Sequence, residues 1–513
     1  MLDNPDALYE AFAAKDPRFD GRFFLGVSST GIYCRPVCPM KRPKRENCSF
    51  FGSAAEAELA GYRPCLVCRP ELAPGSPFVG PSAGLARRAA RMLEDGCAES
   101  LSLEELSWRL GCSSRHLRRA FAEEYRVTPV AYLQTCRLLL AKSLLTDTGL
   151  SVLETAMAAG FGSLRRFNGL FRARYRLKPT SLRKRAADGE RADAGLSLSL
   201  GYRPPYRWDE ILGFLGARAL AGVEKVAGGE YMRAARIAAP GGKTALGWLK
   251  VAQNPRKDAL SVTLSESLLP ALPQALARVK RLFDTCCDPE SVYARLSPMN
   301  DVAPGSCPPG LRVPGSFDSF ETAVRAVLGQ QIAVKAAGTL AARIAAAYGA
   351  PVATGEEGLD RAFPSPGDFL AMGDSLEKRL GELGVVSARS GAIGAMAKLF
   401  ADGDVDMDFC ASPERESLKL RSLPGIGSWT AGYIAMRAMG WPDVFLETDA
   451  GVKKALPGRT SRELKELAEA WRPWRSYATV GLWNSLGRGQ GPLAAGRHGK
   501  ERQHGTAGRH GEK

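Results

Sequence analysis

The spacing of apolar residues changes several times along the 513-residue chain. Residues 1–75 carry short apolar segments interrupted by Gly and Pro, whereas residues 82–185 place Leu, Ala and Arg three and four positions apart, which predicts amphipathic helices. The alternation in LSLSLGY predicts a strand near residue 197, and helical spacing returns from about residue 318. The pattern therefore predicts several modules.

Polar stretches separate these modules. RPELAPGSPFVGPS (69–82) is rich in Pro, Gly and Ser, and RKRAADGERADAGLS (183–197) is rich in charge, so both are predicted to be linkers. The final segment repeats AGRHG, has almost nothing apolar, and is predicted to be disordered. These features predict four domains and a tail: 1–78, 82–186, 197–315, 316–488 and 489–513.

The charge balance favours a polyanionic partner. The chain has 70 Lys and Arg against 54 Asp and Glu, a net charge of +16, and nucleic acid is the leading candidate. The sequence shows neither a signal peptide nor a run of about 18 apolar residues, so we expect no membrane contact and a cytoplasmic protein whose thiols stay reduced. Three of the four histidines, His498, His504 and His510, lie in the tail, which argues against histidine-based catalysis.

Two close cysteine pairs distinguish the first module. Three residues separate Cys34 from Cys38, two separate Cys65 from Cys68, and 26 lie between the pairs. This spacing is typical of a four-thiolate Zn²⁺ site, and a module this small needs a metal to fold. The alternative, buried free cysteines, is our expectation for the other eight: Cys48, Cys97, Cys112, Cys136, Cys286, Cys287, Cys307 and Cys410.

The residues around the pairs, TGIYCRPVCPMKRPKRENCSFF and AEAELAGYRPCLVCRPE, resemble the N-terminal domain of the Ada family of adaptive-response regulators. The resemblance implies that Cys34 accepts a methyl group from a methyl phosphotriester in DNA while zinc keeps the sulfur a thiolate. A thiolate is a good nucleophile that needs no catalytic base. Methylation also removes negative charge from the site, so repair would itself strengthen binding to DNA.

The second module contains a repeated helical pattern. LSLEELSWRLGCSSRHLRRAFAEEYRVTP predicts a short helix, a turn at Gly111 and a basic second helix that carries Arg118. Phe121, Tyr125 and Pro129 recur fifty residues later as Phe171, Tyr175 and Pro179. The tandem units resemble the AraC-type DNA-binding domain, which reads successive major-groove segments. The resemblance makes candidate DNA contacts of Arg115, His116, Arg119, Ser163, Arg165 and Arg166.

The stretch LRSLPGIGSWTAGYIAMRAMGWPDVFLETDAGVKKAL (420–456) carries the most specific signal of the third module. Gly425 and Gly427 predict a tight hairpin whose backbone N–H groups approach a DNA phosphate. PGIG alone also fits an ordinary turn between helices. With the downstream FLETD, the stretch resembles the helix-hairpin-helix DNA glycosylases, which implies that Asp449 is catalytic. A carboxylate there stabilises the positive charge that builds on the deoxyribose and orients water.

One position separates two kinds of glycosylase. Members of the superfamily that also cut the strand have a lysine where this chain has Trp429. Without that amine no Schiff base forms, so the resemblance implies a monofunctional enzyme. Aromatic rings in its pocket would attract cationic, electron-poor bases such as 3-methyladenine.

Further segments narrow the resemblance to the AlkA-type 3-methyladenine glycosylases: YRPPYRWDEILGFLGARAL, FETAVRAVLGQQIAV and WRPWRSYATVGLW. The resemblance implies a base pocket lined by Trp429, Tyr433, Trp483 and Phe214, and a DNA-inserting wedge at Gln330 and Gln331.

The chain departs from the family at two positions. Gln331 stands where the best-known member has leucine, and Ala450 replaces an aromatic residue of the pocket wall. Trp471 and Trp474 are predicted to pack in the core.

Together these features predict a multidomain α+β protein: a small zinc-bound α/β domain, an all-α tandem helix-turn-helix domain, and an α+β subdomain followed by a helical helix-hairpin-helix domain. The expected partners are alkylated and promoter DNA and RNA polymerase, the expected state is a monomer, and the expected location is the bacterial nucleoid. No PCHR-like nucleophile occurs, so O6-methylguanine methyltransferase activity is not expected.

Two alternative functions stay open at this point. The chain could be a pure zinc-dependent regulator whose C-terminal module binds damage without cleaving it. It could also be a repair enzyme whose first two modules only deliver it to DNA.

Overall fold

The computed structural model describes residues 4–75, 84–98, 102–183 and 195–488. Half of the first predicted linker, most of the second and the whole predicted tail lie outside the described residues. No helix in the described part of the chain is long and apolar enough to cross a membrane. The described elements form the multidomain α+β fold that the sequence predicts.

A four-stranded sheet organises the N-terminal part of the chain. Its order is β3-β1-β2-β4, with β1 antiparallel to both neighbours and β4 parallel to β2. Apolar side chains alternate along β1, so that Leu25 packs with the cysteines on one face and Phe24 packs with Tyr33 on the other. The elements are α1 (Pro5–Ala13), β1 (Phe24–Val27), β2 (Ile32–Cys34), β3 (Cys48–Phe51), α2 (Ala54–Leu59) and β4 (Arg63–Pro64).

Seven helices follow, and they confirm the predicted repeat. Phe121 and Phe171 are fully buried, and each contacts the tyrosine four residues later at 4.7 Å between ring centroids. Pro129 and Pro179 each occupy the first turn of the next helix, where a missing N–H costs nothing. The helices are α3 (Leu85–Asp95), α4 (Leu103–Arg109), α5 (Ser114–Tyr125), α6 (Pro129–Asp147), α7 (Val152–Ala158), α8 (Leu164–Tyr175) and α9 (Pro179–Leu182).

A five-stranded antiparallel sheet begins the C-terminal part, in the order β5-β9-β8-β7-β6. The predicted alternation is confirmed, since Leu196, Leu198 and Leu200 are buried along β5 while Ser197 is exposed. The elements are β5 (Leu196–Gly201), α10 (Trp208–Gly216), β6 (Glu224–Ala227), β7 (Glu230–Ala239), β8 (Lys243–Gln253), β9 (Ala259–Leu264), α11 (Leu272–Leu282), α12 (Pro289–Leu296) and α13 (Met299–Val302).

Helices dominate from Ser319 onward, as the spacing predicts, apart from one small two-stranded pair. These helices share one large apolar core, in which Trp471 and Trp474 are buried as expected. The elements are α14 (Ser319–Leu328), α15 (Val334–Tyr348), β10 (Ala350–Pro351), β11 (Arg361–Ala362), α16 (Pro366–Leu370), α17 (Leu376–Glu382), α18 (Ser387–Ala401), α19 (Pro413–Arg421), α20 (Ser428–Arg437), α21 (Ala450–Ala455), α22 (Ser461–Ala468) and α23 (Arg475–Arg488).

The linker predictions are wrong at their edges. Residues 69–75 pack tightly: the buried side chain of Glu71 accepts two hydrogen bonds from the fully buried Lys142 of α6, at 2.6 and 2.7 Å. Arg69 pairs with Asp147 of the same helix through two bonds of 2.7 Å. Pro/Gly content suggested flexibility, but distant ionic partners fix this segment. The second predicted linker, 183–197, likewise includes the first residues of β5.

Glu58 of α2 joins the N-terminal sheet to the helices. Its buried carboxylate accepts hydrogen bonds from the hydroxyls of Tyr33 and Tyr175, both at 3.1 Å, and of Thr135 at 3.0 Å. Burial raises the pKa of Glu58 to about 7, although these three hydrogen bonds act in the opposite direction. The residue before Cys34 is thus connected through one carboxylate to α6 and α8.

Candidate functional site

The two cysteine pairs meet because two short strands run parallel. Cys34 ends β2, and Cys65 directly follows β4, which pairs with β2 through Ile32 and Arg63. Cys38 and Cys68 lie in the loops that leave these strands. Parallel pairing brings both carboxyl ends to one edge of the sheet, so residues separated by a long loop become neighbours.

The four sulfur atoms lie within 4.8 Å of one another, and all four cysteines are buried. One tetrahedral ion with Zn–S bonds of about 2.3 Å fits this arrangement. The buried Arg35 lies beside the cluster, donates to the carbonyl of Cys68 at 3.0 Å, and is paired with Asp20. The donor set is that of a zinc site, as the cysteine spacing predicts.

Backbone N–H groups distinguish two of the four sulfurs. Cys68 Sγ accepts from the Arg35 N–H at 3.3 Å, and Cys65 Sγ accepts from the Val67 N–H at 3.4 Å. Cys34 Sγ has no such backbone hydrogen bond among the described residues. Cys34 is also the most exposed of the four, at 8%, but by a margin of only one percentage point over Cys68.

The candidate DNA contacts of the helical repeat lie at equivalent places. Ser113 caps α5 and Ser163 caps α8, each by accepting a backbone N–H from its helix. The helices that follow expose Arg115, His116 and Arg119 in one unit and Arg165 and Arg166 in the other. Gly111 and Gly160 precede these helices with positive φ values of 68° and 81°, which a tight turn requires.

The predicted hairpin joins α19 to α20. Gly425 has a φ of +80°, Gly427 caps α20, and both are exposed, whereas Ile426 between them is buried. The exposed glycines leave the backbone N–H groups at the start of α20 open to an anion.

The two wedge candidates have different environments. Gln330 donates through Nε2 to the carbonyl of Gly425 and to Thr430 Oγ1, both at 2.9 Å, so its side chain holds the wedge loop to the hairpin. Gln331 is exposed, with a φ of +55° that L residues rarely adopt. The Gln330 side chain is thus directed at the protein and the Gln331 side chain is exposed, and the wedge role of Gln331 stays a prediction.

Asp449 is held in place by three N–H donors. Its Oδ1 accepts from the Trp483 indole at 2.8 Å and from the Val452 backbone at 3.0 Å, since Asp449 is also the N-cap of α21. Its Oδ2 accepts from the Trp429 indole at 2.9 Å. The carboxylate is therefore fixed at both oxygens, and tryptophans on two separate helices provide the orientation.

The four aromatic residues predicted to line a pocket do come together. Trp429 and Tyr433 stack at 5.3 Å between centroids, Tyr433 lies 6.4 Å from Trp483, and Trp483 is nearly parallel to Phe214 at 6.3 Å. Because Trp429 and Tyr433 stack directly on each other, no base fits between those two rings. Ala450 is exposed beside Asp449 and adds no ring to this wall.

Sequence reasoning missed three residues of this site. Arg218 and Arg437 lie over the aromatic rings, and a Cβ at Gly451 would lie 2.7 Å from Trp483 Cδ1, so glycine lets the indole approach Asp449. Gly451 directly follows the TDA that contains Asp449, so its place in the motif could have identified it as part of the site. The sequence did not single out the two arginines, because arginines at helical spacing usually lie on a solvent-exposed face.

The other eight cysteines are free, as predicted, but only half are buried. Cys97, Cys287, Cys307 and Cys410 are buried, whereas Cys48, Cys112, Cys136 and Cys286 are partly exposed. The expectation of burial is therefore wrong for the second group.

Comparison with known proteins follows the same division. Residues 7–71 match the metal binding domain of Ada, residues 106–185 match a helix-turn-helix domain, and residues 197–318 match the AlkA N-terminal domain. The fold and its sites define a multidomain DNA repair protein.

Relatives match over long stretches. The chain is 38% identical over 496 residues to the probable bifunctional transcriptional activator/DNA repair enzyme AlkA of Mycobacterium tuberculosis, which covers 95% of this chain and 97% of the relative. It is 36% identical over 289 residues to DNA-3-methyladenine glycosylase 2 of Escherichia coli, a match that covers 56% of this chain and 97% of the relative. The chain belongs to the family of bifunctional transcriptional activator/DNA repair proteins that join an Ada-type zinc domain to an AlkA-type domain.

Proposed function

We propose that this chain senses, regulates and repairs alkylation damage in DNA. Its zinc domain takes a methyl group from methyl phosphotriesters and thereby activates transcription, and its C-terminal part is a monofunctional glycosylase that excises alkylated bases such as 3-methyladenine. One observation carries the proposal: a buried four-cysteine cluster and a carboxylate held between two indoles occur in one chain. The protein acts as a monomer on double-stranded DNA at the nucleoid, with RNA polymerase as a further partner.

Cys34 is the proposed methyl acceptor. Bound zinc would keep the sulfurs of Cys34, Cys38, Cys65 and Cys68 as thiolates. The Cys34 thiolate attacks the methyl carbon, a C–S bond forms, the C–O bond of the phosphotriester breaks, and the phosphodiester leaves as an anion. The product is a thioether, so each chain acts once.

The environment of the sulfurs supports this choice. A hydrogen bond to a thiolate stabilises its lone pairs, and nucleophilicity falls as a thiolate is stabilised. Cys65 and Cys68 each accept a backbone N–H, whereas Cys34 has no such donor among the described residues. Cys34 is more exposed than Cys38, at 8% against 2%. The hydrogen bonds therefore argue against Cys65 and Cys68, and exposure favours Cys34 over Cys38.

Asp449 is the proposed catalytic residue of the glycosylase. As the bond between base and sugar breaks, positive charge develops on the deoxyribose, and a fixed carboxylate stabilises it without reorganising. Trp429 stands at the position where a Schiff-base lysine would be needed, which supports hydrolysis without strand cleavage. Trp429, Tyr433, Trp483 and Phe214 form the base pocket in this proposal.

The remaining proposed contacts position the DNA. Gln331 fills the space that the flipped base leaves, the N–H groups near Gly425 and Gly427 bind a phosphate, and Gln330 holds these two parts together. Arg115 and Arg119 in one helix-turn-helix unit, and Arg165 and Arg166 in the other, enter successive major-groove segments. The domain limits in this proposal are 1–78, 82–186, 197–315 and 316–488, with a tail at 489–513.

One alkylated duplex tests both activities. We expect the purified chain to release 3-methyladenine and to gain one methyl group, and metal analysis to find one zinc that is lost in Cys68→Ala. Methyl transfer without base release would favour the pure regulator. A promoter reporter assay tests the other alternative. Unchanged induction in the Cys34→Ala variant would mean that the N-terminal modules only deliver the enzyme to DNA.

A further inference from the structure

One partly buried arginine, Arg389, connects two parts of the chain that the proposed function places on DNA. It lies in the first turn of α18, and its Nη2 donates to the backbone carbonyl of Gln330 at 2.6 Å. Gln330 and the exposed Gln331 belong to the short loop between α14 and α15, residues 329–333, which is the wedge loop. A charged side chain on one helix therefore holds the backbone of a loop that contains an exposed side chain.

The carbonyl that accepts this hydrogen bond belongs to the peptide unit between Gln330 and Gln331. The orientation of that unit sets the φ angle of Gln331, which is +55° and lies in the left-handed region that L residues rarely adopt. Such a conformation persists only where the surrounding structure fixes it. A short charge-assisted hydrogen bond is a strong restraint. Arg389 thus restrains the conformation in which the Gln331 side chain is exposed.

The same helix also supports the hairpin. A Cβ added at Gly425 would lie 3.5 Å from Ala392 Cβ and 3.8 Å from the Ala388 carbonyl oxygen, so the first turns of α18 lie against the hairpin. The Gln330 side chain completes the arrangement by donating to the Gly425 carbonyl and to Thr430 Oγ1, both at 2.9 Å. The wedge loop, the hairpin and α18 therefore contact one another pairwise, which holds Gln331 in a defined place relative to the hairpin.

In the proposed function, a fixed Gln331 matters because extruding a base from the duplex costs free energy. This cost is largest for a well-paired base and smaller for a mismatched base, whose stacking and pairing are already weakened. A side chain that is ordered before it enters the duplex loses little further conformational entropy on insertion. The benefit of a fixed wedge loop is therefore largest where the damaged base is well paired.

We propose that Arg389 is a positioning residue that holds the wedge loop in its inserting conformation, so that well-paired damaged bases can be extruded. This rests on the proposed glycosylase function, in which Gln331 fills the space that the flipped base leaves, and it identifies the residue that keeps Gln331 in place. A direct contact between the same guanidinium and a DNA phosphate would have a different signature. It would weaken binding to every duplex and lower the salt dependence of binding.

The test compares single-turnover release of 7-methylguanine from two duplexes, one with cytosine and one with thymine opposite the lesion. Only the opposite base differs, so the flipped base and the chemistry are the same. Arg389→Met keeps an apolar stem but removes the donor, and should slow release from the paired duplex about tenfold and from the mismatched duplex much less. Arg389→Lys retains a donor and should keep most of the wild-type rate. Arg343→Met is the matched control, because Arg343 also donates to a loop carbonyl, that of Leu383 at 3.1 Å.

A second measurement follows unstacking without base release. The fluorescence of 2-aminopurine placed beside the lesion rises when the stack opens, and the Asp449→Asn background keeps the base on the strand. In that background, Arg389→Met should reduce the fluorescence rise on the paired duplex, whereas the salt dependence of binding should stay as it is without the Arg389 change.

Equal slowing of release from both duplexes in Arg389→Met would overturn the inference, and a weaker salt dependence would then assign Arg389 to a phosphate contact. Unchanged release from the paired duplex would overturn it as well. If the wild type releases the base from neither duplex, the proposed glycosylase function fails, and the fluorescence alone decides the role of Arg389. A smaller rise in Arg389→Met then supports that role, whereas an equal rise, or no rise even with Arg389 in place, refutes it.

Discussion

The cysteine cluster and the Asp449 site hold their reactive atoms in opposite ways. Among the described residues, Cys34 Sγ has no backbone N–H donor such as those that Cys65 and Cys68 accept, whereas both oxygens of Asp449 accept N–H donors. A nucleophile that forms a bond needs an available lone pair. A carboxylate that stabilises a developing charge needs a fixed position. In the proposed function, the number of donors around each atom thus distinguishes a sulfur that reacts once from a carboxylate that is used repeatedly.

The two sites also differ in how the chain assembles them. All four cysteines lie within residues 34–68 and meet through one pair of short strands. The Asp449 site collects side chains from α10, α20, α21 and α23, between residues 214 and 483. A site made by one small sheet can fold with its metal, whereas the other depends on a whole packed domain.

The largest effect should come from removing the acceptor sulfur. Cys34→Ala should abolish methyl transfer and leave base release unchanged, because the four cysteines lie outside the helices that form the Asp449 site. Mass spectrometry of the chain after incubation with a methylated duplex measures methyl transfer, and a separate assay measures base release. Cys48→Ala, which changes a free cysteine of the same sheet, is the matched control and should transfer normally. A methyl group found on Cys38, Cys65 or Cys68 of the wild type would contradict the assignment.

Replacing the fixed carboxylate should have the next largest effect. Asp449→Asn keeps the size but removes the charge, and the single-turnover rate of 3-methyladenine release should fall on the order of 10² to 10³-fold. DNA binding and methyl transfer should persist, since the hairpin and the cysteine cluster are untouched. Near-normal release by the variant would refute the role of Asp449. Borohydride trapping of a covalent adduct by the wild type would refute a monofunctional mechanism.

A smaller effect should follow from removing one of the hydrogen bonds that hold the Asp449 carboxylate in place. Trp483→Phe keeps an aromatic ring in the pocket but removes the indole N–H that donates to Asp449 Oδ1. Losing one charge-assisted hydrogen bond should lower kcat about tenfold with little change in KM. Trp471→Phe, in the core away from Asp449, should lower stability instead. A rise in KM at unchanged kcat would mean that Trp483 only binds the base.

The smallest expected effect concerns Glu58, whose pKa is raised by burial from an ordinary 4.5 to about 7. The folded state therefore binds the proton more tightly, so the free energy of unfolding should fall as pH rises from 4.5 to about 7 and then level off. Glu58→Gln imitates the protonated group and should remove this decline in the free energy of unfolding, which amounts to about 3 kcal/mol across the window.

Denaturant unfolding at several pH values measures the Glu58 effect. Glu46→Gln is the control, because Glu46 is largely exposed and should leave the pH dependence as it is. A Glu58→Gln variant whose stability declines with pH as steeply as the wild type would show that another group titrates.

The sequence predicts best what is encoded locally. Cysteine spacing located the zinc site, the period of two located β5, and the phenylalanine–tyrosine repeat located both helix-turn-helix units. The aromatic residues and Asp449 were found only because a long motif resembles a known family. Arg218 and Arg437 were missed since their positions over Phe214 depend on packing between α10 and α20. Residues 69–75 were mistaken for a linker because Lys142 and Asp147, which fix them, are far away in sequence.

The ion pairs that join residues 69–75 to α6 have a geometric consequence. Lys142, Glu71, Arg69 and Asp147 are all largely buried, and Glu58 adds a second connection, so the sheet that carries Cys34 is held to α6 and α8. If the proposed function holds and both parts contact one duplex, the phosphate that donates its methyl group would lie at a fixed number of base pairs from the sequence being read. Such an arrangement would measure the helical phase between a lesion and its operator.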